Sequence, residues 1–210
     1  MSAPQVVLAS NNAKKLAELR RILEPLVPGI EVLGLGDVAA YPEPPETEPT
    51  FQGNALIKAR AALEHTGLPS LADDSGLCVD ELNGMPGVLS ARWSGVPKAE
   101  GGDAANNALL LSQLSDTPDG RRGARFVCAM AFCAPGHDDV VELGEMPGRI
   151  LLGEQGDGGF GYDPLFAADG YDVSTAELPP AEKDAISHRG RALAKIAPLV
   201  VEALQEPAER

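Results

Sequence analysis

The chain has 210 residues, 44% of them hydrophobic, enough to bury a substantial core in one domain or in two joined lobes. Seventeen basic and 31 acidic residues leave a formal charge of -14, a field that repels a long polyanion and argues against nucleic acid as a partner. Three cysteines in apolar surroundings (Cys78, Cys128, Cys133) exclude a disulfide framework, and no run approaches the roughly 18 apolar residues of a membrane helix, so a cytoplasmic, unanchored chain is expected.

Val6 to Ala9 read as a short strand, Ser10-Asn11-Asn12 as a polar turn, and Leu16, Leu19, Leu23 and Leu26 as one face of an amphipathic helix. A second apolar run, Ile30 to Leu35, leads into Tyr41 to Thr50, where Pro42, Pro44, Pro45 and Pro49 forbid regular structure. Thr50 reads as the N-cap of a helix to about His65, with Asn54 and Lys58 one turn apart on one face. From Leu71 to Gly95, short apolar runs broken by Gly and Pro suggest strands joined by tight turns. Asp103 to Leu114 reads as a helix, Pro118 to Gly123 as a turn, and Arg125 to Ala134 with Val140 to Leu152 as a hairpin. A glycine-rich loop, Gly153 to Gly161, precedes Tyr162-Asp163-Pro164-Leu165-Phe166, and a helical region runs from about Pro180 to Leu204 with a kink expected at Pro198. Helices alternating with strands, plus a hairpin, predict an α/β fold: a mixed sheet with flanking helices and no separate linker.

Four clusters could carry chemistry. Ser10 to Lys15 sit at a strand-to-helix turn, where free N–H groups, the helix dipole and Lys14 and Lys15 attract anions. Asp73 and Asp74 end a strand, the kind of carboxylate pair that a hard cation or a water-activating base requires, and alternation along the strand lets only one of them face a site directly. Glu46, in the proline-rich loop, is a candidate second metal ligand. Gly156, Gly158 and Gly161 match a dinucleotide fingerprint in spacing, but no helix follows them; a flexible loop offering Phe160 or Tyr162 to stack on a base is the better reading. Lys183, Ser187, His188 and Arg189 supply donors that could read a base carbonyl or hold phosphate. Each cluster alone also admits a plainer reading as a capped helix, a turn or a solvated surface. The phosphate loop G-x-x-x-x-G-K-[ST], the zinc helix H-E-x-x-H and the elbow G-x-S-x-G are absent.

Taken in order, LASNNAKKLAEL, TFQGNALIKARAA, LADDSGLCVDELNGMPGVLSARWSG, GFGYDPLF and EKDAISHRGRAL resemble the inosine triphosphatase family, the Ham1-like pyrophosphatases of non-standard purine nucleotides, from about Val6 to Leu193. The resemblance implies a single nucleoside-triphosphate pyrophosphatase domain over 1–210, elongated and two-lobed with a central substrate cleft, acting as a homodimer. It also implies hydrolysis of dITP, ITP and XTP to monophosphate and pyrophosphate with Mg²⁺. By motif position it gives Ser10, Asn11, Asn12, Ala13, Lys14 and Lys15 to the phosphates, Asp74 to acid-base catalysis or metal binding, and Ser75 to substrate contact. Phe160, Gly161, Tyr162, Asp163, Lys183, His188 and Arg189 would bind the nucleotide, and Glu46 would join Asp74 on the metal. Two rivals remain open: a pyrophosphatase for other nucleotides, such as the dTTP and UTP of the Maf-like family, and a nucleotide-binding regulator without catalysis.

Overall fold

The computed structural model describes residues 3–205. They form two compact units: the first takes the residues up to Asp74, Cys128–Gly144 and those from Arg191 on, the second Ser75–Val127 and Glu145–Gly190. Strands β1 (Gln5–Leu8), β2 (Glu31–Leu33), β3 (Ser70–Val79), β4 (Gly123–Cys133), β5 (Val140–Ile150) and β6 (Phe166–Ala168) are bonded in the order β2-β1-β3-β4-β5-β6. β1 lies parallel to β2, with Gln5 opposite Glu31, and parallel to β3, with Val7 opposite Ser70; β5 and β6 run antiparallel. The sheet is mixed, as the sequence predicts.

In the first unit, α1 (Ala13–Leu23) starts where the Asn12 side chain accepts the N–H groups of Lys14 and Lys15. Leu19 and Leu23 are fully buried with Val6, Leu8, Cys128, Met130 and Phe132, and this core is closed by Leu193, Ile196 and Val200 of α5 (His188–Gln205). Leu26, the fourth leucine of the expected stripe, lies beyond the helix end and is 47% exposed. α2 (Phe51–Thr66) starts under the Thr50 cap and ends at Gly67, whose left-handed backbone (φ +69°) returns its N–H to the carbonyl of Leu63. The intervening proline-rich segment has no regular structure.

In the second unit, Leu77, Val79, Leu110, Leu114, Met146, Ile150, Leu165 and Phe166 make a separate core beneath α3 (Gly102–Gln113). The stretch after Leu71 differs from expectation: β3 is a single ten-residue strand, and the rest forms 3-10 turns at Asp80–Leu82 and Gly87–Arg92. Its glycines and prolines permit the turns but leave too few consecutive residues for a second ladder. The final helical region, expected to be continuous, is interrupted at Ser187. α4 (Pro180–Ile186) stops at Ser187, whose extended backbone and hydroxyl, accepting the Gly190 N–H, start α5; that helix then runs through Pro198. All three cysteines are buried and none is in a disulfide. No helix among the described residues is long and apolar enough to cross a membrane.

Candidate active site

Two carboxylates at neighbouring positions of β3 go to two different helices. Asp73 is buried, and both of its oxygens lie 2.8 Å from Nζ of Lys15 in α1. Asp74, on the other side of the strand, accepts Nδ2 of Asn54 at 3.3 Å and Nζ of Lys58 at 3.2 Å, both from α2. The same Lys58 ammonium donates at 3.0 Å to Oε1 of Glu46. Asn54 is completely buried and bridges two elements: its Oδ1 accepts the N–H of Glu48, tying the proline-rich loop to α2, while its Nδ2 reaches Asp74. Asn54 and Lys58 are therefore site residues that the motif reading left without roles, although their spacing of four put them on one face.

The electrostatics follow from that crowding. Burial pushes the Asp74 carboxyl above its ordinary value of 3.8, Lys58 opposes the shift, and Glu46 adds to it. Burial pulls Lys58 down, yet Asp74, Glu46 and Asp73 together hold it above its ordinary value and so charged. A carboxyl raised by the fold favours its protonated form. Its stabilising contribution is fully present below about pH 4 and is lost as pH rises through the folded value. In metal-free protein followed by carboxyl ¹³C NMR, Asp74 is expected to titrate above 3.8. Glu46→Gln should lower the midpoint and Lys58→Met should raise it; shifts of the opposite sign would refute the coupling.

Two oxygen-rich carboxylates facing one cation are the donor set that a hard divalent ion accepts, with substrate phosphates and water completing its shell. Among the described residues no group of three or more His, Cys, Asp or Glu side chains forms a metal site by itself. Glu46 and Asp74 supply two carboxylate donors, so most of such an ion's shell would come from other ligands.

At the turn before α1, Ser10 and Lys15 are half-buried and Asn11, Asn12, Ala13 and Lys14 exposed. The N–H groups of Lys14 and Lys15 are taken up by the Asn12 cap, and the side chains of Asn11 and Lys14 are exposed. Lys15 is less free than expected, because its ammonium is shared with Asp73. A cavity of about 250 Å³ has Asn11, Tyr41, Glu43 and Lys58 in its wall, and Tyr41 stacks on His65 at 4.7 Å.

In the second unit the glycine-rich loop closes on Asp163. That buried carboxylate accepts the Phe160 N–H at 2.8 Å, the Thr175 hydroxyl at 3.0 Å and Nζ of Lys183 at 2.5 Å. A Cβ on Gly159, at φ +77°, would stand 2.3 Å from Oδ2 of Asp163, so the loop requires glycine there. The two aromatic candidates separate cleanly. Phe160 is 63% exposed, with the Lys183 ammonium 5.2 Å from its ring centre, whereas Tyr162 is 5% exposed and donates its hydroxyl to the carbonyl of Ser90. Burial, with the Asp103 carboxylate behind it, pushes the Tyr162 phenol well above its ordinary value, keeping it neutral. His188 stacks on Phe126 at 5.2 Å, and Arg189 follows half-buried in the first turn of α5. Ser75, next to Asp74 in β3, is half-buried.

Several relatives share this residue set's overall sequence. The chain is 61% identical over 199 residues to the dITP/XTP pyrophosphatase of Nocardia farcinica, covering 94% of this chain and 95% of that one. It is 59% identical over 195 residues to the enzyme of the same name from Mycobacterium tuberculosis, covering 92% and 94%. Among solved structures, the nucleoside-triphosphatase / dITP/XTP pyrophosphatase of Mycobacterium abscessus superposes with a TM-score of 0.79 at 57% identity, over 92% of this chain and 99% of that one. The Ham1 protein of Staphylococcus aureus gives a TM-score of 0.85 at 35% identity, over 95% and 99%. The model of the Ham1 family matches residues 6–199, nearly the whole chain, and with relatives this similar over this length the chain belongs to the Ham1 family.

Proposed function

We propose that this chain hydrolyses non-standard purine nucleoside triphosphates, dITP, ITP and XTP, to the monophosphate and pyrophosphate, and so keeps them out of DNA and RNA. The observation that carries the reading is the half-buried Asp74 carboxylate, facing Glu46 across one lysine ammonium, in a chain whose relatives are named dITP/XTP pyrophosphatases. Water attacks the α-phosphorus; Asp74, deprotonated, accepts its proton; pyrophosphate leaves. Lys14 and Lys15 offset the negative charge that gathers on the phosphates, the main task in phosphoryl transfer, and Lys58 holds the Asp74 carboxylate in place. Asp74 and Glu46 would hold Mg²⁺, which when bound supplies charge neutralisation on the phosphate oxygens. In the second unit we assign the base to Phe160 for stacking and to His188 and Arg189 for hydrogen bonding, with Gly161, Tyr162, Asp163 and Lys183 supporting or flanking them. Residues 1–210 act on this reading as one domain, in a cytoplasmic homodimer. Pyrophosphate release across a panel of nucleoside triphosphates tests it: turnover concentrated on ITP, dITP and XTP is expected. Preference for dTTP, or tight binding without turnover, would overturn it.

Selectivity follows from donors and acceptors. Hypoxanthine and xanthine carry a carbonyl oxygen at position 6, where adenine carries an amino group. Donors from Arg189 and His188 bond the first and face another donor in the second, and each buried unpaired donor costs about 1–3 kcal/mol. Arg189→Ala should therefore lower kcat/KM for ITP much more than for ATP, by about tenfold or more in the ratio. An unchanged ratio in purified mutant and parent removes Arg189 from base recognition.

A further inference from the structure

Asp103 and Asn107 lie four residues apart in α3, so both side chains project from one face of that helix. They take hold of the same peptide pair in the glycine-rich loop. Oδ2 of Asp103 accepts the N–H of Gly161 at 3.2 Å, and Nδ2 of Asn107 donates to the carbonyl of Gly161 at 3.2 Å. Gly161 is left-handed (φ +61°) and separates exposed Phe160 from buried Tyr162. The chain on either side is pinned as well: the Phe160 N–H is bonded to Asp163, and the Tyr162 hydroxyl to Ser90. Asn106, next on α3, donates to that same Ser90 carbonyl at 3.3 Å. The loop thus rests on α3 through both backbone groups of one glycine, and the residue that this arrangement leaves turned outward is Phe160.

The arrangement is more than generic packing. Asn107 is 4% exposed, and its Oδ1 accepts no hydrogen bond, so the amide is kept in a buried position for the single bond its Nδ2 makes to the loop. Asp103 is placed differently. Its side chain is partly exposed and stands 3.7 Å from Nζ of Lys98, where water could serve an ordinary surface carboxylate equally well; it reaches instead for the Gly161 N–H. We propose that Asp103 and Asn107 are positioning residues that clamp Gly161 and thereby present the Phe160 ring to the purine base of the substrate. The inference rests on the reading of Phe160 as the stacking residue. Neither side chain touches substrate; they act through the loop, so the effect falls on binding of the base and leaves the phosphoryl chemistry alone.

Steady-state kinetics with ITP, on Phe160→Ala, Asp103→Ala and Asn107→Ala and on each clamp variant combined with Phe160→Ala, test it. Loss of one clamp bond should raise KM about five- to tenfold with kcat within about twofold of the parent. Because the clamp acts through Phe160, each clamp change should add less than about twofold when Phe160 is already Ala. Asp103→Asn, which keeps an acceptor for the Gly161 N–H, should restore a near-parental KM. Quenching of a fluorescent 6-oxopurine nucleoside triphosphate by the protein should weaken in the same variants as KM rises. Asp103→Ala changes a partly exposed side chain, so it keeps the test valid should Asn107→Ala fail to fold. If Phe160→Ala leaves KM and quenching unchanged, the stacking reading fails and the clamp with it. If Phe160→Ala raises KM while the clamp variants do not, or if their effects multiply with it, the clamp alone is overturned.

Discussion

Replacing Asp74 with Asn is expected to lower kcat by about a thousandfold, roughly 4 kcal/mol of barrier, while the fold survives. The substitution keeps the size of the side chain and one acceptor oxygen, enough for Nζ of Lys58 or Nδ2 of Asn54 but not both, since these bond different oxygens of Asp74. What it removes is the charge, and with it both the proton acceptor for water and half of the carboxylate pair that would hold the metal. Two measurements separate these roles. If the loss is recovered by raising the Mg²⁺ concentration, metal binding dominates; if it persists at saturating metal, proton transfer does. Near-parental turnover with unchanged thermal unfolding would show that the chemistry lies elsewhere. Glu46→Gln should cost less than Asp74→Asn, because Glu46 sits in the proline-rich loop, accepts a hydrogen bond from Lys58, and takes no proton from water on this reading.

The largest effect on stability is expected at a residue with no part in the chemistry. Arg122 is 3% exposed, and its guanidinium donates to the carbonyls of Leu114, Ile150 and Leu151 at 2.9 Å and of Thr117 at 3.4 Å. It closes the end of α3 and the end of β5 in one stroke, supplying donors where a helix terminus and a strand terminus would otherwise leave buried acceptors unmet. Arg122→Met fills similar space but offers no donors. The expected loss is about 4 kcal/mol, a fall in Tm of about 10 °C for a chain of this length. Arg122→Lys, with a point charge in place of a planar fork, should recover only part of it. A loss below about 1 kcal/mol in urea unfolding would mean that water replaces the guanidinium at these carbonyls.

How far the sequence carries a reader depends on the range of the interaction. The Thr50 cap was legible because it is local, bonding an N–H group three residues away, and leucines at 19 and 23 declare a buried face by spacing alone. The strand-turn-helix at Ser10 to Lys15, the proline-rich loop, the hairpin and the unsuitability of the glycine run for a dinucleotide were legible for the same reason. So was the separation of Asp73 from Asp74, since strand alternation is a property of the backbone.

What neighbours in space decide was not legible. Nothing in the text pairs Lys15 with Asp73, 58 residues away, or tells Phe160 from Tyr162, two aromatics in one motif of which one is exposed and the other buried. The last helical region is broken at Ser187, whose hydroxyl accepts the Gly190 N–H at the start of a new helix. The sequence by itself determined the helices, the turns, the carboxylates available for chemistry and, through five motifs in order, the family. Only the tertiary structure decided which lysine serves which carboxylate, which aromatic ring faces out, and that α3 grips the loop at Gly161. Those outcomes depend on burial and on bonds between residues 12 to 72 positions apart, and chain-local preferences carry no record of either.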